Sequence, residues 1–507
     1  MDNRRFLGQL DAAVDDHLME YFVEAEIAST LTRADSDIVR GVKGSGKTAL
    51  RRALSEMHRS SFLGTKAVDL NDISFAQVHD GLSQLKRTTA AEVPTLASNI
   101  WRNVLAMYAL EAVADAITTS TYGHLKHRIR DLLAAEGFTH PNANHRFLVA
   151  IERVLTRISE IGTSMQTPSP LGLTADQKQM AAQFPMNDEC SEVLRAACAF
   201  VEAQGNAVLV CIDGFDSIAD HTAESRRVIF AGLIDAIQKH RSDPLMGKAF
   251  AFKAFLPREL LDGVAALLWD SDKHIFNRHD LTWTEAGLQE VVHRRLMRIA
   301  KVKSNRFLDV WHEMMPEKVP NVAHRIEEKS FDYILRHTMY RPRQLLTHLQ
   351  MLFNRWDARS APGTRIDPTF VPQVVAETNR ELAAALVGQV GIRYPELQSF
   401  LKRMKSLSCT MPVGEFNGRL GRLMGLSAEA IEELGAELFD LGIFGVAPAG
   451  SLQEGAGIAK FNFSFVGDNP RELFSKADPR DMVALSPMLF DYCGCTCSEY
   501  GAIIPCG

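Results

Sequence analysis

The stretch Ser36–Leu54, SDIVRGVKGSGKTALRRAL, constrains the fold more than any other part of the sequence. Its glycines, lysine and threonine match the phosphate-loop pattern G-x-x-x-x-G-K-[ST], which begins at Gly41 and ends at Thr48. A short apolar run precedes the loop and a helical pattern follows it, as expected for a strand–loop–helix phosphate site. A chance match in a glycine-rich turn is the alternative, and the flanking patterns disfavour it.

Each residue type in this loop suits the binding of phosphate. Glycines let the backbone curl so that successive N–H groups point at an anion, and the helix that begins near Lys47 adds the positive end of its dipole. Lys47 would reach the β- and γ-phosphates of ATP, and the Thr48 hydroxyl would ligate Mg²⁺. The predicted nucleotide-contacting residues are Gly41, Val42, Lys43, Gly44, Ser45, Gly46, Lys47, Thr48 and Ala49.

A phosphate loop predicts a second motif, an apolar strand that ends in aspartate. Ala207–Ile212 is such a continuous apolar run, typical of a buried parallel strand. Asp213 follows it, at the strand end where open α/β sheets bind ligands, and is predicted to hold Mg²⁺ together with Thr48. Asp216 is predicted to orient or deprotonate a water molecule. A simple D-G turn is the alternative, but it does not explain the apolar run before it.

Composition fits a globular protein of several domains. The chain has 507 residues, of which 46% are hydrophobic and 23% charged, and its formal net charge is -6. This balance does not indicate a general nucleic-acid or membrane binder, although it leaves room for a local basic face. No signal-peptide pattern and no apolar run of ~18 residues is found, so we expect a cytoplasmic protein without membrane contact. Eight cysteines in a chain of this length do not indicate a disulfide scaffold.

A long stretch separates the two nucleotide motifs. Lys66–Asp72 can form another strand, and the apolar spacing after it predicts helices, whereas Thr163–Gln177 is a polar, proline-containing break predicted to be a loop. Two interpretations stay open, a helical insertion packed on the sheet and a recognition or autoinhibitory surface, and we favour the first.

These motifs resemble those of bacterial P-loop ATPases of the STAND and AAA+ kind, in particular a family with an origin-recognition-like layout. The resemblance covers most of residues 15–475, and the nucleotide motifs are its specific part. It implies an α/β fold, with a P-loop NTPase parallel sheet that carries a large helical insertion, then a helical lid and a winged-helix-like domain. STAND relatives often carry a further acid where this chain has Ser217, a departure that bears on hydrolysis and not on ATP binding.

The resemblance also implies two arginines that sense the γ-phosphate. Arg258 takes the place of the first, just after a predicted strand at Ala249–Leu256, although a surface arginine at a helix start would look the same. In the lid, YRPRQLL places Arg341 and Arg343 around a first-turn proline, where the helix dipole does not favour a cation. We predict Arg343 as the second sensor, and a solvent-facing pair is the alternative.

Three helical patterns and the alternating stretch AKFNFSF predict the winged-helix-like domain after a linker at 357–369. Its third helix is acidic, with Glu429, Glu432, Glu433, Glu437 and Asp440, whereas the only basic cluster nearby is Lys402, Arg403 and Lys405. Contact with a protein is therefore at least as well supported as DNA binding.

The last segment carries Cys493, Cys495, Cys497 and Cys506. The C-x-C spacing is tighter than that of structural zinc sites, so no metal is predicted there. A redox-sensitive segment and a terminus without function stay open.

Two classes of function follow from these patterns. The first is an ATP-binding and ATP-hydrolysing switch that controls a separate effector protein, for which the resemblance suggests prokaryotic antiviral defence. The second is a DNA-binding AAA+-type ATPase for loading, remodelling or repair. Both use ATP and Mg²⁺, and both are compatible with a homo-oligomer. The predicted domains are 1–30 (helical lead-in), 31–275 (ATPase core, with the insertion at about 75–200), 276–355 (lid), 356–475 (winged-helix-like domain) and 476–507 (Cys-rich tail).

Overall fold

The computed structural model describes residues 7–70, 93–164, 188–214, 223–258, 264, 278–360, 364–393, 395–466, 474 and 476–506. The chain forms two compact units, one of Glu24–Leu281 and the other of Met1–Val23 together with Thr282–Gly507. Among the described residues, no helix has the length and apolar character needed to cross a bilayer.

A five-stranded parallel sheet forms the centre of the unit Glu24–Leu281 and confirms the expected α/β class. Its strands lie in the order β2-β3-β4-β1-β5. They are β1 (Asp37–Gly41), β2 (Gly64–Asp69), β3 (Val208–Asp213), β4 (Phe250–Pro257) and β5 (Arg278–Asp280). β3 and β4 are buried along their whole length, as strands of a parallel sheet covered on both faces are.

Helices of this unit surround the sheet, and four of them form the predicted insertion between β2 and β3. The helices are α1 (Ala28–Leu31), α2 (Lys47–Glu56), α3 (Val93–Ala116), α4 (Gly123–Ala135), α5 (Ala143–Ser164), α6 (Asp188–Gln204), α7 (Ala223–Ser242) and α8 (Met246–Ala249). α3 packs against α7, β2 and β3, and the indole Nε1 of its Trp101 donates to the Ile229 carbonyl at 2.9 Å. The helices therefore share the core of the sheet. The predicted loop Thr163–Gln177 lies outside the described residues from position 165 onward.

The second unit contains a helical part with its own apolar core. Its elements are α9 (Glu285–Ile299), α10 (Phe307–Met314), α11 (Ser330–Leu335), α12 (Pro342–Asp357), α13 (Phe370–Arg393) and the hairpin of β6 (Lys318–Asn321) with β7 (Ile326–Lys329). Thr284 caps α9 as its sequence predicts, because its side chain accepts from the Gly287 N–H at 3.1 Å. The N-terminal segment packs here too, with the Arg295 guanidinium 4.2 Å from the ring centre of Tyr21.

The remainder of this unit joins four helices to a five-stranded sheet of order β12-β10-β9-β11-β8. The elements are α14 (Pro395–Arg403), β8 (Thr410–Pro412), α15 (Val413–Met424), α16 (Ala428–Asp440), β9 (Phe444–Ala447), β10 (Ile458–Asn462), β11 (Met482–Leu485), α17 (Phe490–Cys493) and β12 (Ala502–Cys506). Residues 476–506, which the sequence places in a tail, supply β11, α17 and β12. β11 is fully buried and pairs with both β8 and β9, so this segment belongs to the sheet.

Candidate phosphate-binding site

The loop between β1 and α2 has the backbone shape that its glycines predict. Gly44 and Gly46 have φ values of 86° and 99°, in the left-handed region that favours glycine. Gly41 is required for a different reason, since a Cβ at this position would lie 2.5 Å from the Ser45 Oγ. The loop thus folds tightly upon itself and delivers the chain into the first turn of α2.

Lys47 is turned back onto the start of this loop. It is 3% exposed, and its Nζ donates to the carbonyl of Gly41 at 2.9 Å and to that of Val42 at 3.3 Å. These two carbonyls hold the ammonium group at the mouth of the loop. A phosphate oxygen that enters the loop would replace these carbonyls as the hydrogen-bond acceptor of Lys47. The ammonium group therefore already lies close to the place where it is predicted to bind phosphate.

Asp213 ends β3 beside the first turn of α2. It is 6% exposed, its carboxylate is hydrogen-bonded by the Thr48 hydroxyl and by the Gly214 N–H, and burial raises its pKa. The two side chains that the sequence predicts as Mg²⁺ ligands therefore meet. Hydroxyl and carboxylate oxygens are the donors that Mg²⁺ prefers, so the residues present fit this ion.

Arg51 is a member of the site that sequence analysis missed. Its Nε lies 3.3 Å from Oδ2 of Asp213, and the side chains are only 12% and 8% exposed. The signal was present in the spacing, because Arg51 lies three residues after Thr48 and so shares its helix face. In this structure the guanidinium, together with Lys47, supplies positive charge next to the aspartate.

Arg258 lies at the same edge of the sheet as the loop. It directly follows β4, whose Pro257 is the register partner of Gly41 at the end of β1. Its Nε is buried and makes no hydrogen bond to any residue that the structure describes. A buried guanidinium nitrogen beside the phosphate loop suits a ligand-sensing arginine. Asp216, by contrast, lies outside the described residues.

The two arginines around Pro342 have different surroundings. Arg341 occupies the position before α12, is 7% exposed, and its Nη2 donates to the Leu441 carbonyl at 3.3 Å. Arg343 lies inside the first turn of α12 and is exposed. Arg341 therefore connects α12 to the segment after α16, whereas the Arg343 side chain is accessible to a ligand.

A buried charge cluster holds β1 to its neighbours at the end of the sheet away from the loop. Lys253 on β4 is fully buried, and its Nζ lies 2.5 Å from Oδ2 of Asp37 and 2.9 Å from the Asp35 carbonyl. His279 on β5 lies 3.1 Å from the other Asp37 oxygen. These contacts cross-link the three adjacent strands β4, β1 and β5, and so fix the strand that leads into the loop.

No protein-family model and no curated protein sequence matches the chain. Among solved structures, it is similar to the Aeropyrum pernix ORC2 protein in its ADPNP–ADP complexes, at 12% identity over 94% of each chain with a TM-score of 0.38. The ADP form of ORC2 gives 11% identity over 91% of this chain and 89% of that one, with a TM-score of 0.33. The ORC1 protein of the same organism in complex with DNA gives 12% identity over 87% of this chain and 90% of that one, with a TM-score of 0.28. Similarities of this size do not assign the chain to a family.

Proposed function

We propose that this chain is an ATP-binding P-loop ATPase whose nucleotide state controls a partner protein. The observation that carries the proposal is the contact between the Thr48 hydroxyl and the buried Asp213 carboxylate directly behind the phosphate loop. If the loop were an ordinary glycine-rich turn, the buried aspartate beside it would have no explanation. Together with Lys47, these groups form a site for a phosphate chain and a hard cation.

The roles of the loop residues follow from their positions. Backbone N–H groups from Val42 to Ala49 would cradle the phosphates, and Lys47 would bind the β- and γ-phosphates as a point charge. Mg²⁺ held by Thr48 and Asp213 would neutralise charge on the phosphate oxygens. The exposed Lys43 side chain is not needed for this, since its contribution is the backbone amide.

Hydrolysis is the further part of the proposal. Asp216 would orient or deprotonate the attacking water, and Arg258 would detect the γ-phosphate from the end of β4. Arg343 would act as a second sensor, because its exposed guanidinium is available to a ligand. Because Ser217 replaces the further acid that STAND relatives often carry, we expect slow ATP turnover. Slow turnover is compatible with a molecular switch.

The surface of the second unit favours a protein as the partner. Glu429, Glu432 and Glu433 on α16 are exposed, and such a face repels the phosphates of DNA. A relationship to STAND ATPases, a role in antiviral defence and assembly into a homo-oligomer are further parts of this proposal.

A DNA-binding ATPase is the second candidate, and one observation favours it. Lys402, Arg403 and Lys405 at the end of α14 are all exposed and could contact a phosphate backbone. Titration of the full chain with labelled duplex DNA at several salt concentrations separates the two candidates. A steep loss of affinity with salt supports DNA binding, and the absence of binding at low salt supports the protein-controlling switch.

A further inference from the structure

Three cysteines of the second unit lie along a short parallel ladder that the C-terminal segment forms with the residues before β8. The Thr496 N–H donates to the Leu407 carbonyl at 2.7 Å, and the Cys409 N–H donates to the Thr496 carbonyl at 3.0 Å. Ser408 and Thr496 are bridge partners. The two segments therefore run side by side in a fixed register.

This register places three thiols on one face of the ladder. The Thr410 hydroxyl contacts those of Ser408 at 3.0 Å and Ser498 at 3.2 Å, so these side chains share a face. Side chains alternate along extended backbone, which puts the intervening positions on the opposite face. The residues at these positions are Cys409, Cys495 and Cys497.

Cys493 joins this group through a turn. It ends α17, and Gly494 follows in the left-handed conformation with φ 66°, which folds the chain back. The Cys493 thiol donates a hydrogen bond to the Cys495 sulfur, and this bond lowers the pKa of Cys495. Cys493 is buried and Cys495 is half-buried, so one thiol is protected while the other can be reached from solvent.

The residues before β8 pack against the same turn. A Cβ at Gly494 would be 3.5 Å from the Cγ of Lys405, and the Ser406 N–H donates to the Gly494 carbonyl at 3.0 Å. These contacts fix the position of the glycine that separates the two cysteines.

We propose that Cys495 and Cys493 form a dithiol site that reacts with hydroperoxides, with Cys495 as the nucleophile and Cys493 as the resolving thiol. Nothing in the nucleotide chemistry of the other unit requires such a site. Cys493 is assigned as the resolving thiol because its side chain bonds to the Cys495 sulfur across the turn at Gly494.

The reaction balances in two steps. The Cys495 thiolate attacks one peroxide oxygen, the O–O bond breaks, and the other oxygen leaves as an alcohol or as water after taking up a proton, which makes Cys495 a sulfenic acid. The Cys493 thiol then displaces hydroxide from that sulfur, and its own proton completes a water molecule. The two sulfurs have lost two electrons, which the peroxide has gained.

Within the described residues, no group of three or more His, Cys, Asp or Glu side chains is arranged to hold a metal ion. Binding of zinc by neighbouring thiols is still the main alternative to oxidation, so the test includes it as an outcome. Reduced, full-length protein is mixed with one equivalent of hydrogen peroxide, quenched by alkylation and analysed by peptide mass spectrometry. We expect Cys493 and Cys495 to lose alkylation together, their peptide to lose the mass of two hydrogen atoms, and dithiothreitol to reverse both changes.

Variants assign the two roles. Cys495→Ser should abolish the rapid oxidation, and Cys493→Ser should leave a sulfenic acid at Cys495 that dimedone traps. Cys506→Ser is the matched control, because this thiol contacts Asn462 instead and its loss should change nothing.

Three results would overturn the proposal. These are an unchanged rate of thiol loss in Cys495→Ser, a disulfide that joins Cys495 to Cys409 or Cys497 rather than to Cys493, and one equivalent of bound zinc that protects all of these thiols. A second nucleophile variant, Cys495→Ala, guards against misfolding of the serine variant, and ATP binding by either variant reports that the other unit is intact.

Discussion

Arg51 and Asp213 form an ion pair at the base of the phosphate loop, with Nε 3.3 Å from Oδ2 and both side chains largely buried. Thr48, the other predicted ligand of Mg²⁺, bonds to the same carboxylate. If Mg²⁺ binds to Asp213 as proposed, it would compete with the guanidinium of Arg51 for this carboxylate. In the structure the ion pair compensates the charge of the buried aspartate.

We predict that Arg51→Ala lowers the Mg²⁺ concentration needed for half-maximal ATP binding by up to about tenfold, equivalent to roughly 1.4 kcal/mol. The reason is that the metal no longer displaces a competing cation. Fluorescent ATP titrations at a series of Mg²⁺ concentrations measure the shift. Arg52→Ala is the control, because Arg52 pairs with Glu56 on the same helix instead. A higher Mg²⁺ requirement in Arg51→Ala would show that Arg51 binds nucleotide rather than holding the place of the metal.

The contrast between Arg343 and Arg341 gives a second prediction. If the exposed Arg343 contacts the γ-phosphate, Arg343→Ala should reduce the preference for ATP over ADP by about tenfold to a hundredfold, since such a charged contact is worth ~1.5–3 kcal/mol. ADP affinity should stay nearly unchanged. Arg341→Ala should instead lower the thermal stability of the second unit, because it removes the contact with Leu441. Calorimetric titrations with both nucleotides decide the point, and an equal loss for ATP and ADP in Arg343→Ala would refute the sensor role.

The buried Lys253–Asp37 pair predicts a large effect on stability. Lys253→Met should lower the free energy of unfolding by about 3–5 kcal/mol, because Asp37 then loses the ammonium group that pairs with its buried carboxylate. The double variant Lys253→Met/Asp37→Leu should lose less, since no buried carboxylate is left. Urea unfolding followed by circular dichroism measures both, with the exposed Lys248→Met as the control. A loss below about 1 kcal/mol in Lys253→Met would mean that the cluster contributes little.

Two buried histidines predict how the second unit responds to acid. Burial lowers the pKa of His348 to about 4, and burial with the nearby Arg336 charge lowers that of His337. The unfolded state, with a histidine pKa of about 6.5, therefore binds protons before the folded state does. Stability is complete above pH ~6.5 and falls as the pH drops toward about 4, by up to ~1.4 kcal/mol per pH unit for each histidine.

His348→Leu should flatten this dependence, so that the loss of stability between pH 7.5 and pH 5 is about 2 kcal/mol smaller than in the wild type. Hydrogen exchange of peptides from α12, which carries His348, measures the local stability at each pH. His127→Gln, a change at an exposed histidine of the other unit, serves as the control. Parallel pH curves for His348→Leu and the wild type would contradict the prediction.

Sequence patterns predicted the parts of the site that are local. The order β1, phosphate loop and α2 is fixed by adjacent residues, and the apolar run of β3 ending in Asp213 carries its own signal. Contacts between distant parts of the chain left no such signal. Lys253 and Asp37 are 216 positions apart, so a lysine inside an apolar strand gave no hint of its partner.

The C-terminal segment shows the same limit. The sequence analysis predicted a Cys-rich tail here. In the structure, the buried run Met482–Leu485 is a strand that pairs with β8 and β9. Four apolar residues are too short a run to separate a strand from a turn of helix. The neighbouring strands β8 and β9, which come from distant parts of the chain, determine that this run is a strand.

We propose above all that the loop at Gly41–Thr48 binds the phosphates of ATP through Lys47. Calorimetric titration of the full chain with ATP and Mg²⁺, set beside the variants Lys47→Ala and Lys43→Ala, tests it most directly. The two lysines lie in the same loop, but Lys47 is buried at its mouth and Lys43 is exposed. We predict one ATP bound by the wild type and by Lys43→Ala with equal affinity, and a loss of about a hundredfold in Lys47→Ala with an unchanged melting temperature. Equal ATP affinity in Lys47→Ala and the wild type would contradict the account.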